Sequence, residues 1–402
     1  MKFIVNNVKN GCRHGYLQDF KRCSGVKDLV VETPMCLMYT RGGKYHCIKP
    51  RSGLLYYTKN RFRAEHKGAI GMVAGGLGGF CSLDEGSVLY CPIHDTTTAV
   101  PSGYNGNIGV GIWGRGGKIM VSLVFQEALR VDFYQAMSDN DVDERSGKKR
   151  LKKSHDRTIN FLDRTLERHQ KSEKLKDTEI FGTVVGGFSE EDRIFSAKET
   201  AERPVAGKYI LLVSFMKDFP SKAFKYSNFT LSSLNSDVSG FGTDNLPKDK
   251  PRIMHGLWSP DMVLSGVECG IDIFDSSYTY IVTERGSALV FDYDFQKYDK
   301  EKSLPAENGN SDTCTRPFEI NLKEKKYFDD FSPLLEGCTC YTCRNHTKSY
   351  VSHLLNTTEL LAGVLLQIHN FHQYFHFFSS LRESLREDKF DDLKALIQQQ
   401  KR

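Results

Sequence analysis

Ile180-Phe181-Gly182-Thr183-Val184-Val185-Gly186-Gly187, followed by Ser189 to Glu202 and then Tyr209 to Phe215, is the stretch on which the fold turns. The first run is apolar, rich in β-branched residues and closed by two glycines. The second reads as a helix, and the third is again a continuous apolar run. Strands covered on both faces lose the polar/apolar alternation, so such runs separated by a helix predict parallel strands with helices packed over them. The rhythm continues. Arg252 to Gly256 is a further run, and Ser259-Pro260-Asp261 opens a helix with a capping hydroxyl, a first-turn proline and an acid near the positive end. Ile271 to Asp275 is the next strand. A barrel of eight such units is the leading candidate, with Asp275 at the carboxyl end of a strand, where barrels keep their chemistry. A carboxylate there can also simply cap the following turn.

Outward from this stretch the signals are more local. Residues 1 to 60 hold short β-rich runs (Leu29 to Val31, Leu54 to Tyr57), and the glycine cluster around Gly75 to Phe80 reads as a plain loop. Gly109-Val-Gly-Ile-Trp-Gly114 formally matches a dinucleotide fingerprint. A β-rich run and not a helix follows it, so the segment predicts a hairpin. Residues 125–136 look helical or mixed. Five basic residues, Lys148, Lys149, Arg150, Lys152 and Lys153, precede a predicted amphipathic helix from about Asp156 to Lys174. Such a run is usually solvated, and it is one place where a phosphate backbone could sit.

The 402 residues can bury a large core, and 39% hydrophobic with 26% charged residues is ordinary for a globular protein. The net charge of +5 permits a nucleic-acid partner without requiring one. No signal peptide opens the chain and no run reaches the eighteen or so apolar residues of a membrane span. Eleven cysteines, scattered except at one motif, then point to a reducing compartment and a cytoplasmic protein.

That motif is Cys338-Thr-Cys340-Tyr-Thr-Cys343. Neighbouring Cys-x-Cys thiols bridge only with strain, but three thiolates on one loop suit a tetrahedral zinc that needs one more ligand. His346, His353, His369, His372 and His376 all lie downstream. His346 would let the ion order a single loop only. His369 follows Leu361, Val364, Leu365 and Ile368, which predict the buried stripe of a helix, and the missing fourth ligand tips the choice to His369. The predicted metal set is Cys338, Cys340, Cys343 and His369, holding one structural zinc. Aromatic residues beyond it (Phe371, Tyr374, Phe375, Phe377, Phe378) exceed what one helix face needs and suggest a partner interface. The predicted fold class is therefore α/β. Residues 1–330 form a (β/α)8 TIM barrel with a mobile insertion at 295–326, and residues 331–402 form a C-terminal zinc-binding helical subdomain.

With these residues assembled, the chain resembles the tRNA-guanine transglycosylase family, the queuine tRNA-ribosyltransferases. The resemblance runs over most of the chain. It is strongest from Phe318 to Tyr327, at the Cys338, Cys340 and Cys343 spacing, and from Tyr350 through His369-Asn370, with Ser259 to Asp261 and Gly270 to Asp275 adding to it. It implies a (β/α)8 barrel with a zinc subdomain and an exchange of guanine for queuine at the wobble position of tRNAs with GUN anticodons. In that reaction an aspartate attacks the ribose carbon, a second aspartate moves protons, and a glutamine with backbone amides reads the purine.

Carried over residue by residue, little of this chemistry remains. Asp275 stands in the nucleophile's place, but the neighbouring cysteine is Ser276 and the family's Pro-Thr-Arg is replaced around Thr279 to Ile281. The purine-reading glutamine is Val185, which cannot hydrogen-bond a base through its side chain. The glycine pair of the next strand is Leu212-Val213-Ser214, and Gly76 to Cys81 lacks both the acid and the glutamine of the family's Asp-Ser-Gly-Gly-Phe-Gln. Asp139 falls near the base-reading aspartate, with an offset from Asp132 one residue too long. The resemblance therefore implies no catalytic residues: a silent subunit in a heterodimer with a catalytic queuine tRNA-ribosyltransferase subunit, binding or supporting tRNA. It also allows a peripheral place at the mitochondrial outer membrane. Two other readings stay open, an active transglycosylase with a divergent pocket around Asp275 and a zinc-stabilised RNA-binding scaffold resting on the basic run.

Overall fold

The computed structural model describes residues 1–20, 29–40, 54–57, 76–80, 83, 87–94, 96–97, 105–107, 109–114, 117–121, 127, 129–142, 146–187, 189–210, 245–298 and 316–401. The Leu212 to Ser214 substitution, Cys81 and residues 299–315 of the expected 295–326 insertion lie outside the described residues, whereas Glu319–Asn321, expected within that mobile insertion, form a strand. The described chain divides into two compact units. One is built from the chain up to Leu257 together with Gly266–Asp275, and the other from Trp258–Ser265 and Ser276 onward.

In the first unit, β1 (Lys2–Lys9), β2 (Cys12–Gln18) and β3 (Val31–Thr33) form a small antiparallel sheet. Eight further strands close into a barrel: β4 (Met35–Thr40), β5 (Leu54–Tyr57), β6 (Val88–Cys91), β9 (Phe133–Gln135), β10 (Glu179–Val184), β11 (Gly207–Ile210), β12 (Arg252–Ile253) and β13 (Ile273–Asp275). Every neighbouring pair around the ring is parallel, and Phe274 of β13 opposite Cys36 of β4 closes it. Between β6 and β9 runs the antiparallel hairpin β7 (Val110–Gly114) and β8 (Gly117–Val121), as the glycine spacing predicts. Residues 133–135, expected to be helical or mixed, are barrel strand β9.

Helices stand between strands where the chain is described. They are α1 (Gly76–Phe80), α2 (Lys148–Lys171), α3 (Glu190–Ala201), α4 (Pro260–Glu268) and α5 (Ser277–Arg285). The strand–helix–strand expectation over 180–210 holds: β10 is buried along nearly its whole length, and Ser189 caps α3 by accepting the Asp192 N–H at 3.2 Å. The Gly186-Gly187 turn between them needs its glycines. Gly186 has φ +145°, where a Cβ would meet the Arg193 backbone nitrogen at 2.5 Å. The Arg193 guanidinium in turn donates to the Gly187 carbonyl at 2.7 Å. Barrel aromatics fill the interior, with Phe133 and Phe181 centroids 5.1 Å apart and Tyr90 5.0 Å from Phe133.

Two expectations are corrected in this unit. The glycine cluster contains one helical turn, α1, and is not a plain loop. Helix α2 starts at Lys148, so the basic run forms its first turns and does not precede it. Lysine and arginine are good helix formers, and the buried Asp139 sits where it takes Arg150 at 2.6 Å and Arg157, seven residues on along the same face, at 3.1 Å.

The second unit packs β14 (Ser287–Leu289) antiparallel to β15 (Glu319–Asn321). Around them are α5 and the helices α6 (Tyr341–Asn345), α7 (Lys348–Asn356), α8 (Leu360–Arg386) and α9 (Phe390–Gln399). Ala288, Leu322, Val351, Leu365 and Leu366 share one apolar cluster. The compact units divide at Ser276, where α5 and β14 pack on α8 and β15 pairs with β14. Four of the five aromatic residues singled out on α8 are core and not a docking face, while Phe375 is partly exposed. Phe371, Tyr374, Phe377 and Phe378 are all buried, with Phe377 edge-on to Phe291 at 5.6 Å. The buried stripe of α8 also differs from the expected one: it runs through Ala362, Leu365, Leu366, His369, Asn370 and Gln373, leaving Leu361 exposed.

Candidate metal centre

The cysteine segment enters α6 at Cys340. Its sulfur accepts the Cys343 N–H at 3.3 Å, so the helix cap itself places two of the three sulfurs on the same side. Thr342 anchors the turn to α8 by donating to the Leu365 carbonyl at 2.7 Å. One turn further along α8, fully buried His369 turns Nδ1 toward all three sulfurs, at 3.7 Å from Cys338, 3.6 Å from Cys340 and 3.3 Å from Cys343. The four donor atoms all lie within 4.8 Å of one another. Of the five downstream histidines, His369 is the one that completes the four-donor group with the cysteines.

Geometry and donor chemistry can be tested against an ion. Zinc bonds of about 2.3 Å to sulfur and 2.0 Å to nitrogen, at tetrahedral angles, put sulfur and nitrogen roughly 3.5 Å apart. The observed separations of 3.3 to 3.7 Å bracket that value. Electrostatics agree. Hydrogen bonds from Cys340 and Cys343 hold the Cys338 thiol well below its ordinary range. Burial works against a charged His369, but hydrogen bonds to Cys338, Cys340 and the Leu289 carbonyl outweigh it and push the imidazole up to about 9. Hydrogen bonds with Cys338 and Cys340 push the Cys343 thiol up, so the protons that a metal cation would displace are shared among the converging donors. Soft thiolates with one imidazole select zinc over hard ions such as calcium or magnesium.

The groups that orient the four donors come from distant parts of the chain. His369 Nε2 donates to the Leu289 carbonyl at 2.8 Å, and Asn370 Oδ1 accepts the Leu289 N–H at 2.7 Å. Consecutive helix residues therefore take both backbone groups of one β14 residue. Asn370 also donates to the Ser287 carbonyl and to Thr283 Oγ1. This fixes the ring's tautomer and angle, the support that metal-binding histidines generally require. The His369-Asn370 pair was visible in the chain, but the strand it reads was not.

The residues singled out for chemistry lie in the first unit and are engaged differently. Asp275 is fully buried, with Oδ2 accepting the Gly256 N–H at 3.1 Å. Val185 is buried and its N–H donates to Ser196 Oγ at 3.0 Å. Asp139, although burial opposes its charge, is held below the usual carboxylate range by Arg150, Asn105 and Arg157. Its oxygens are spent on that ion-pair network and not presented to a ligand. Among the described residues every cysteine is free of disulfides. No helix among them is long and apolar enough to cross a membrane.

A closed parallel barrel in a chain that also carries a three-cysteine, one-histidine cage defines the class: an α/β protein with a donor cluster that could hold a metal ion. The comparisons then narrow it. The family described as queuine tRNA-ribosyltransferase matches residues 109–402. The chain is 38% identical to the human queuine tRNA-ribosyltransferase accessory subunit 2 with both chains covered in full. It is 40% identical to that of Xenopus tropicalis, again over both full lengths, and 40% identical to that of Gallus gallus over 96% of this chain and 94% of the relative. The chain belongs to the queuine tRNA-ribosyltransferase family.

Proposed function

We infer that this chain is the non-catalytic accessory subunit of queuine tRNA-ribosyltransferase. In this role it pairs with a catalytic subunit and supports the exchange of guanine for queuine at the wobble position of tRNAs with GUN anticodons. One contrast carries the reading. The metal cage has its full donor set and its orienting hydrogen bonds, while the positions that should do chemistry hold a buried valine and an ion-paired aspartate. The names of the similar proteins point the same way. A nucleophile needs a proton donor and groups that hold the leaving base; losing one such group typically costs roughly two to four orders of magnitude in rate.

In this reading Cys338, Cys340, Cys343 and His369 hold one zinc ion, and the ion's contribution is cross-linking. Four protein donors leave no open position for water or substrate. We read the closed ring of strands as the (β/α)8 barrel of this family, kept as a scaffold, and place the protein in the cytoplasm. The test is an exchange assay with radiolabelled guanine on the purified chain, on the catalytic subunit and on the two together. Exchange requiring the catalytic subunit, and unaltered when this chain carries Asp275→Asn, is the expected result. Exchange by this chain alone at the rate of the pair would overturn it.

A further inference from the structure

Beside the cage, α8 carries a second pair of metal-binding side chains that the cage does not use. His372 and His376 stand one helical turn apart, the spacing that puts two side chains on the same face. Their ring centroids are 4.3 Å apart at 45°. His376 is exposed and His372 partly so. Both line a cavity of about 550 Å³ open to solvent, whose wall also carries the acids Asp292 and Glu336. Of the four cage donors, Cys338 is the one on that wall. His372 Nε2 lies 3.5 Å from the hydroxyl of Thr339, the residue between the first two cysteines. The cation that competes for the cavity, Lys297, is paired with Asp294 at 2.7 Å.

Two imidazoles within reach of one point, in an open cavity with acidic walls, form a weak chelate for a divalent transition metal, with water filling the remaining positions. We propose that His372 and His376 form a second, exchangeable transition-metal site, through which the ion reaches Cys338 and enters the cage. The second half of this proposal rests on the reading that the cage takes zinc; the first half does not. A buried site needs an entry path. His369 is fully buried and Cys340 nearly so, whereas the Cys338 side of the cage faces the cavity. A metal held there needs only ligand exchange from imidazole to thiolate, with the displaced thiol protons passing to water.

The test uses the full chain, freed of metal under reducing conditions, beside a His372→Ala/His376→Ala variant. Cobalt(II) serves as the probe, because thiolate coordination gives it a charge-transfer band that imidazole and water do not. The expected result has two parts. At saturation both proteins show the same thiolate band, but at limiting metal the variant develops it more slowly. The zinc-filled wild type binds a second, weaker equivalent of zinc by calorimetry, and its affinity falls about tenfold or more in the variant. Absence of a second equivalent in the wild type, or its persistence in the variant, overturns the site. Equal rates of band growth overturn the entry path. A thiolate band missing from both proteins, with the histidine-dependent equivalent intact, refutes the zinc cage and the entry path while upholding the surface site.

Discussion

Replacing His369 by alanine separates what the metal contributes from what the side chain contributes. The imidazole is one of four donors and also satisfies the buried Leu289 carbonyl at 2.8 Å. Zinc that binds only the folded state, present at about a thousand times its dissociation constant, adds about 4 kcal/mol to stability. Leaving the Leu289 carbonyl without its partner costs about 1–3 kcal/mol more. The variant should therefore lose about 5–7 kcal/mol, a large share of the 5–15 kcal/mol that a typical domain possesses. Chelating the metal from the wild type removes only the first part, since the hydrogen bond to Leu289 remains. The assay is thermal unfolding of both proteins with and without a zinc chelator, with bound metal quantified by mass spectrometry. Three results are expected: the wild type carries one zinc, chelation lowers its transition, and His369→Ala melts lower still with no response to chelator. A wild type whose transition ignores the chelator would refute the reasoning, as would a variant that keeps its zinc and its stability.

Asn370→Ala should cost about 1–3 kcal/mol through the orphaned Leu289 N–H while leaving zinc stoichiometry at one, read by the same two measurements. Asp139→Ala strands Arg150 and Arg157 beside an emptied site. The cost should be near 3 kcal/mol, the lower end for breaking a buried pair because both arginines are partly exposed, measured by urea unfolding. Burial pushes the Asp272 carboxyl up to about 6, with the Arg13 guanidinium at 3.3 Å only partly offsetting it. A folded-state value raised above the ordinary one means that the contribution of Asp272 is fully present below about pH 4 and is lost as pH rises through about 6, by roughly 3 kcal/mol in all. The stability difference between wild type and Asp272→Asn, followed by urea midpoints across that window, should change in that direction, and a flat difference would count against it.

How much could be read in the chain depended on how local the signal was. The cysteine–histidine cluster was legible because ligand chemistry and spacing are properties of a few neighbouring residues, and the strand–helix rhythm in the described parts of 180–275 was legible because burial on both faces leaves continuous apolar runs. The buried stripe of α8 was misread because polarity was taken for exposure. Gln367 and Gln373 are buried, and each donates its amide to a partner far away in sequence, Thr279 and the Phe291 carbonyl. The same long-range packing turned the aromatic surplus into core, with Phe291 and Trp258 as partners that no periodicity could announce. The start of α2 was missed for a related reason: a helix opening on five cations looks unfavourable until the buried Asp139 is seen to take two arginines of that face.

On the reading that the cage holds zinc and the chain is a non-catalytic subunit, the clamp has a physical explanation in the distances along the chain. His369 lies 31 residues from Cys338 and 26 from Cys343, so the ion closes a loop of about that length. Treated as a cross-link, closing such a loop restricts the unfolded chain by about 3–4 kcal/mol. The loop encloses α6 and α7, and its far end is bonded to β14 through Leu289. Cross-linking at this point therefore holds three helices and a strand edge in one arrangement, independently of anything that happens at Asp275. A subunit whose contribution is the shape it presents must keep the clamp, whereas it can lose a purine-reading side chain such as the one replaced by Val185 at no cost to that shape. It follows that removing zinc should abolish support of the catalytic subunit, while replacing the Asp275 carboxylate should leave it intact. Any order of sensitivity in which Asp275 mattered more than the cage would place the chemistry back in this chain.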